Sequence, residues 1–250
     1  MERMAIEFHF VAKPKLSKPV LVEGFPGLGL VGTISASYLI EKLKMEPLGY
    51  ITGDQFPPLA AVHNRRPLYP ARMYYSKKHD LIVFISEFVI PIGSVNELAE
   101  KIYEFARKQK VRKIISLGGI TIKGEQDEVY SIASTPALSD ELEKVKSVKM
   151  IKEGATTGVT GVLLARGAVD SYPVVSLLAE SQEGYMDPKA AAMVLEVLKT
   201  ILKFNLDTSA LENEAKLIDD KVKNIMSKAK TAHTEYKKVQ NDTSLGPMYG

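Results

Sequence analysis

The stretch from Pro19 to Lys44 restricts the fold more than any other part of the chain. Val20, Leu21 and Val22 form a short run of strand-forming apolar residues between Pro19 and Gly24, the pattern of a buried strand. The next nine residues, GFPGLGLVG at 24–32, hold four glycines and a proline, so the backbone must turn tightly there. Beyond Gly32, the residues Ile34, Tyr38, Leu39 and Leu43 recur at helical spacing. Strand, tight turn and helix together are the unit from which α/β folds are built.

Gly27, Gly29 and Gly32 also spell G-x-G-x-x-G, the pattern that seats a dinucleotide pyrophosphate on a helix N-terminus. Two features favour a packing role instead, in which Gly24, Gly27, Gly29 and Gly32 let the helix approach the sheet closely. Leu28, Leu30 and Val31 crowd the turn with bulk. The acid that should hold a ribose, about 20 residues on, is Asp54, set in the loop Gly53-Asp54-Gln55-Phe56-Pro57-Pro58 rather than at a clean strand end. No cofactor is therefore expected.

The pattern continues along the chain. Residues 4–12 suit an edge strand, and Leu48 to Thr52 a second strand. Pro67 to Tyr75 reads as an outer strand or hairpin. His79-Asp80 is a turn before Leu81-Ile82-Val83-Phe84-Ile85, the clearest buried strand. Ser94, with Glu97 three residues later, has the form of a capping box for a helix reaching Gln109. Lys113 to Leu117 is a strand that Gly118-Gly119 should stop. Val129–Ala133, Val148–Ile151 and Pro173–Leu178 are further strands. Helices are expected from Pro136 to Lys146, over 158–167, and from the Asp187 N-cap with Pro188 to Phe204. Strands and helices alternate through 19–204, which predicts an α/β fold with a largely parallel sheet flanked by helices on both faces.

At residue 207 the character changes. Leu211, Ala215, Ile218, Val222, Ile225, Ala229 and Ala232 follow one another at spacings of four and three, a heptad seam with charged flanks. Such a helix can lie on its own domain or pair with another copy. The last eleven residues, QNDTSLGPMYG, are polar and broken by Gly246 and Pro247. The expected division is a core over 1–206, a helical extension over 207–239 and a flexible tail over 240–250.

Composition narrows the function. Of 250 residues, 45% are hydrophobic and 25% charged, as in an ordinary globular protein. A formal charge of +3, dispersed along the chain, does not favour nucleic acid or an anionic membrane. No apolar run is long enough for a span, and MERMAIEFHF has no leader pattern, so a cytoplasmic chain is expected. With no cysteine there are no disulfides or thiolate nucleophiles. His9, His63, His79 and His233 lack metal-ligand spacing. No P-loop and no G-x-S-x-G elbow occurs. Glu23 and Glu87 follow strands, where a pair of acids can line an active crevice or anchor loops. The Gly118-Gly119 loop and GLGLVG are candidates to hold a phosphate together, with Lys123 as the nearby base.

Four segments carry a resemblance: GFPGLGLVG at 24–32, SEFVIPIG at 86–93, ISLGGI at 115–120 and GVTGVLLAR at 158–166. Together they resemble the archaeal proteasome-assembly-chaperone family over most of 15–205. The resemblance implies a core like that of purine nucleoside phosphorylases, a helical C-terminal extension and homo-oligomers of four or five subunits. It also implies ATP-independent, non-catalytic help in assembling the proteasome core. Relatives dock a terminal hydrophobic-tyrosine-any tripeptide between proteasome α subunits, and Met248, Tyr249 and Gly250 match it. The tyrosine offers apolar area with a polar tip, and the terminal carboxylate can pair with a lysine. The alternative is a phosphorylase- or ligase-like enzyme that binds a nucleotide or phosphate ligand on the glycine-rich strand–turn–helix.

Overall fold

A computed structural model describes residues 6–121, 128–181, 186–211, 227, 228 and 231. Its centre is a nine-stranded sheet. The strands are β1 (Glu7–Phe10), β2 (Val20–Gly24), β3 (Glu46–Thr52), β6 (Ala71–Ser76), β7 (Leu81–Ser86), β8 (Lys113–Ile120), β9 (Val129–Ala133), β10 (Val148–Met150) and β11 (Val174–Glu180). They lie in the order β1-β3-β6-β7-β2-β8-β11-β9-β10, and β4 (Ala61–His63) and β5 (Arg66–Leu68) form a separate hairpin.

The sheet is mixed rather than largely parallel. β7, β2, β8 and β11 run parallel, as do β9 and β10. The β1–β3, β3–β6, β6–β7 and β9–β11 pairings are antiparallel. The reason is connection length. Only Lys77 to Asp80 separates β6 from β7, and a parallel crossover needs a dozen residues or more.

Among the described residues, five α-helices cover both faces: α1 (Val31–Lys42), α2 (Ile92–Lys108), α3 (Pro136–Leu142), α4 (Gly158–Val169) and α5 (Pro188–Leu202). Strand alternation sorts the core into two layers. Val20, Val22, Val83, Ile85 and Ile115 face α1 and α5. Leu21, Ile82, Phe84 and Ile114 face α2 and α4. Beyond α5, Leu206 and Leu211 are buried in the α1–α5 layer, and Tyr38 Oη donates to the carbonyl of Asp207 at 2.6 Å. The heptad seam beyond Leu211 and the tail 240–250 lie almost wholly outside the described residues.

Local expectations fared unevenly. The Asp187 cap is present: its Oδ1 accepts from the Ala190 N–H at 2.9 Å, with Pro188 opening α5. The Ser94 capping box is not. α2 starts three residues earlier than a Ser94 cap would give, with Pro91 at its N-cap, and Glu97 Oε1 instead accepts from the Ile6 N–H at 2.8 Å, tying the start of the described chain to α2. Gly118-Gly119 does not stop β8, which continues to Ile120. A Cβ at Gly119 would collide with the backbone of Leu28, so the bare strand is where the glycine turn rests. The segment 67–75 contains part of the β4–β5 hairpin and most of β6, and β6 is an inner strand.

Candidate functional site

β2 is the place where the chain reverses its direction across the sheet. β7, reached from β2 by way of α1 and the outer strands, lies on one side of it, and β8, reached through α2, lies on the other. Crevices at the carboxyl ends of parallel strands beside such a reversal are the usual ligand sites of α/β sheets. A cavity of about 590 Å³ opens there. Its walls are the glycine turn, the end of β8, the loop 151–157 and the first turn of α4.

Glu23 lies in this cavity's wall with 2% of its surface exposed. Alternation along β2 places it with Leu21 on the α2–α4 side. Its Oε1 accepts from the Phe25 N–H at 3.0 Å and its Oε2 from the Thr160 hydroxyl at 3.3 Å. Burial pushes the carboxyl up to about 7, and the Ser116 hydroxyl, the Phe25 N–H and the Thr160 hydroxyl offset only part of that. Ser116 sits directly opposite Glu23 in the β2–β8 register, although its Oγ makes no hydrogen bond of good geometry. Thr160 is a member of α4 that the sequence did not single out. Its only sign was the threonine-rich segment Thr156-Thr157-Gly158-Val159-Thr160.

The glycines divide between packing and cavity. Gly29 has φ +60°, and a Cβ there would strike Ser181 Oγ. A Cβ at Gly32 would crowd the carbonyl oxygens of Phe25, at 2.7 Å, and of Leu117, while Gly24 lies against the backbone of Gly32 itself. Gly27 alone of the four has open space around its Cβ position, and it lines the cavity. Asp54 cannot act as a ribose acid for this turn. It follows β3, and β6 and β7 separate that strand from β2. The glycine turn does meet Gly119, which lies in β8 rather than in a loop, at Leu28, but Lys123 falls outside the described residues. No lysine, arginine or histidine is among the described residues lining the cavity.

Glu87 does not join Glu23. It is buried at a different place, between Arg72 Nη1 at 2.8 Å and His63 Nε2 at 2.7 Å. Arg72 alternates with Met73 on β6 and so belongs to the opposite face of the sheet from Glu23. Burial acts to raise the Glu87 carboxyl, but the His63 and Arg72 contacts outweigh it and hold it below its ordinary range. Arg72 also donates to the Tyr69 carbonyl at 2.7 Å and to Tyr74 Oη at 3.0 Å, so this acid fastens the β4–β5 hairpin to the sheet. Its partners were not legible in sequence, because β6 becomes an inner strand only through its tertiary pairing. His9 bonds Thr52 Oγ1 at 2.8 Å and His79 packs edge-on to Phe204, while His233 lies outside the described residues. No three potential metal ligands cluster among the described residues. No described helix is long and apolar enough to cross a membrane. Met248, Tyr249 and Gly250 are outside the described residues.

A sequence model of the PAC2 family matches residues 21–226. The chain belongs to the PAC2 family. Its glycine turn, its cavity and most of both core layers fall inside the matched region. An uncharacterized protein of Methanocaldococcus jannaschii is 31% identical over 98% of this PAC2 chain and 100% of its own length. Among solved structures, Pyrococcus furiosus PbaA, described as an archaeal homolog of proteasome-assembly chaperone, superposes with a TM-score of 0.80. It is 32% identical, over 91% of this chain and 99% of that one. Pyrococcus furiosus PbaB, described as an archaeal proteasome activator, superposes with a TM-score of 0.75 at 27% identity, over 90% and 99% of the two chains.

Proposed function

We propose that this chain is a proteasome assembly chaperone that works without ATP and without catalysis, in the cytoplasm, by binding 20S proteasome α subunits. The observation that carries the reading is the match to PbaA, at a TM-score of 0.80 and 32% identity over nearly the whole of both chains. The PAC2 match and the likeness to PbaB support it. The docking element in this proposal is Met248-Tyr249-Gly250, with the tyrosine and the terminal carboxylate as anchors. A phosphorylase-like core over 1–206 carries a helical extension over 207–239, which assembles four or five copies, and the tail 240–250 reaches out from that body. Several tails on one body raise the effective concentration of each, so individually weak tripeptides can hold a ring together.

The competing enzyme would hold a phosphate on the backbone N–H groups of the glycine turn, helped by a nearby cation. The described lining offers Glu23 and Glu153 and no basic side chain, and three of the four glycines are consumed by packing. Deletion of 248–250 is expected to abolish capture of proteasome α subunits in a pull-down while leaving the unfolding temperature unchanged. Capture that persists in the truncated protein refutes the docking role.

A further inference from the structure

The cavity beside β2 is not needed for a docking tail, and its chemistry is specific. Its one deeply buried polar side chain among the described residues is the carboxyl of Glu23, while Phe25, Val95, Leu117, Ile132 and Leu178 make much of the remaining wall apolar. An ionised carboxylate has about four lone-pair positions, of which Phe25 N–H and Thr160 Oγ1 occupy two and the Ser116 hydroxyl, directly opposite in β8, faces a third. The remaining position can accept from a ligand. Glu153, exposed on the rim, is the other titratable group of the described lining and carries the same sign. A volume of about 590 Å³ falls within the range of small-molecule sites.

We propose that this cavity binds a small molecule with a cationic, hydrogen-bond-donating nitrogen head group and an apolar body, the head group held by Glu23. The described lining holds two carboxylates and no basic side chain, so at Glu23 a cation is favoured over an anion. The carboxylate and head group form a charge-assisted pair in a site shielded from water, the condition in which such pairs are strongest. Gly27 sets the size limit, because its missing side chain leaves part of the space open.

The test titrates the full-length protein calorimetrically with benzamidine, phenethylamine and inorganic phosphate. Benzamidine offers a planar two-pronged donor and phenethylamine a single ammonium, so the pair separates an amidine-like from an amine-like head group. At least one of them is expected to bind. Because binding requires an ionised Glu23, affinity should rise about tenfold between about pH 6 and about pH 8. Glu23→Gln should weaken binding by about tenfold or more at the upper pH and remove the pH dependence. Gly27→Leu, at an extended backbone position with free space for a side chain, should fold normally and block binding by occupying the cavity. Failure of both nitrogen probes to bind overturns the proposal. So does binding that neither variant weakens, or phosphate binding that strengthens in Glu23→Gln. None of these outcomes bears on the tail, whose deletion is read by α-subunit capture alone.

Discussion

Replacing Glu23 by Gln tests whether a buried carboxyl holds the centre of this sheet under electrostatic strain. In the unfolded chain the group ionises near its ordinary 4.5, and in the folded protein burial moves it to about 7. Below the lower value both states are protonated and the carboxyl costs nothing electrostatically. As pH rises from there, the unfolded chain releases its proton first, so stability falls until the folded state ionises as well, near pH 7. The interval of about 2.5 pH units, at about 1.4 kcal/mol each, amounts to roughly 3 kcal/mol lost between mildly acid and mildly alkaline solution. Glutamine keeps the shape, and its amide can still accept from the Phe25 N–H while its NH₂ donates to Thr160 Oγ1. Urea unfolding of both proteins across this pH range isolates the residue, because every other titrating group is common to the two. The wild-type curve should descend relative to the variant's as pH rises, and the variant should be the more stable by up to about 3 kcal/mol on the alkaline side. Two parallel curves would show that Glu23 is charged at no electrostatic cost, and the account of the site would fail.

The glycine turn and the helix caps supply two further contrasts. Gly29→Ala places a Cβ at φ +60° against Ser181, and should cost about 2–4 kcal/mol in denaturant unfolding, whereas Gly27→Ala should stay within about 0.5 kcal/mol; equal losses would contradict the division between packing and cavity. Asp187→Ala removes the hydrogen bond to the Ala190 N–H and should cost about 1 kcal/mol, while Ser94→Ala, inside α2 rather than at its cap, should be nearly neutral by the same measurement; a comparable loss at Ser94 would restore the capping box.

Much of the candidate site is legible in the order of residues alone. The glycine turn and the acid at the end of its strand lie where strand–turn–helix logic puts them, whereas Gly118-Gly119, expected to form a loop, stays within β8. Thr160 is not legible in that way, because its distance from Glu23 in sequence is bridged only when α4 docks across the sheet. Glu87 cannot be separated from Glu23 by pattern: both are acids after apolar strands, and only the faces of neighbouring strands distinguish a cavity group from a hairpin fastener. The capping box at Ser94 fails for a similar reason. A better competitor, the Ile6 N–H, claims Glu97 through a contact spanning most of the first hundred residues.

Local chemistry by itself determined which segments are strands and which are helices, because apolar periodicity, proline and capping residues act over a few neighbours. It also determined that residues 24–32 must turn sharply. Tertiary structure alone decided strand direction and order, placing an antiparallel meander beside the parallel strands and making β6 an inner strand. It also decided the state of Glu23. A carboxyl's proton affinity depends on how much water reaches it, and that is a property of everything packed around the residue, from α4 to β8, rather than of the residues on either side of it in the chain.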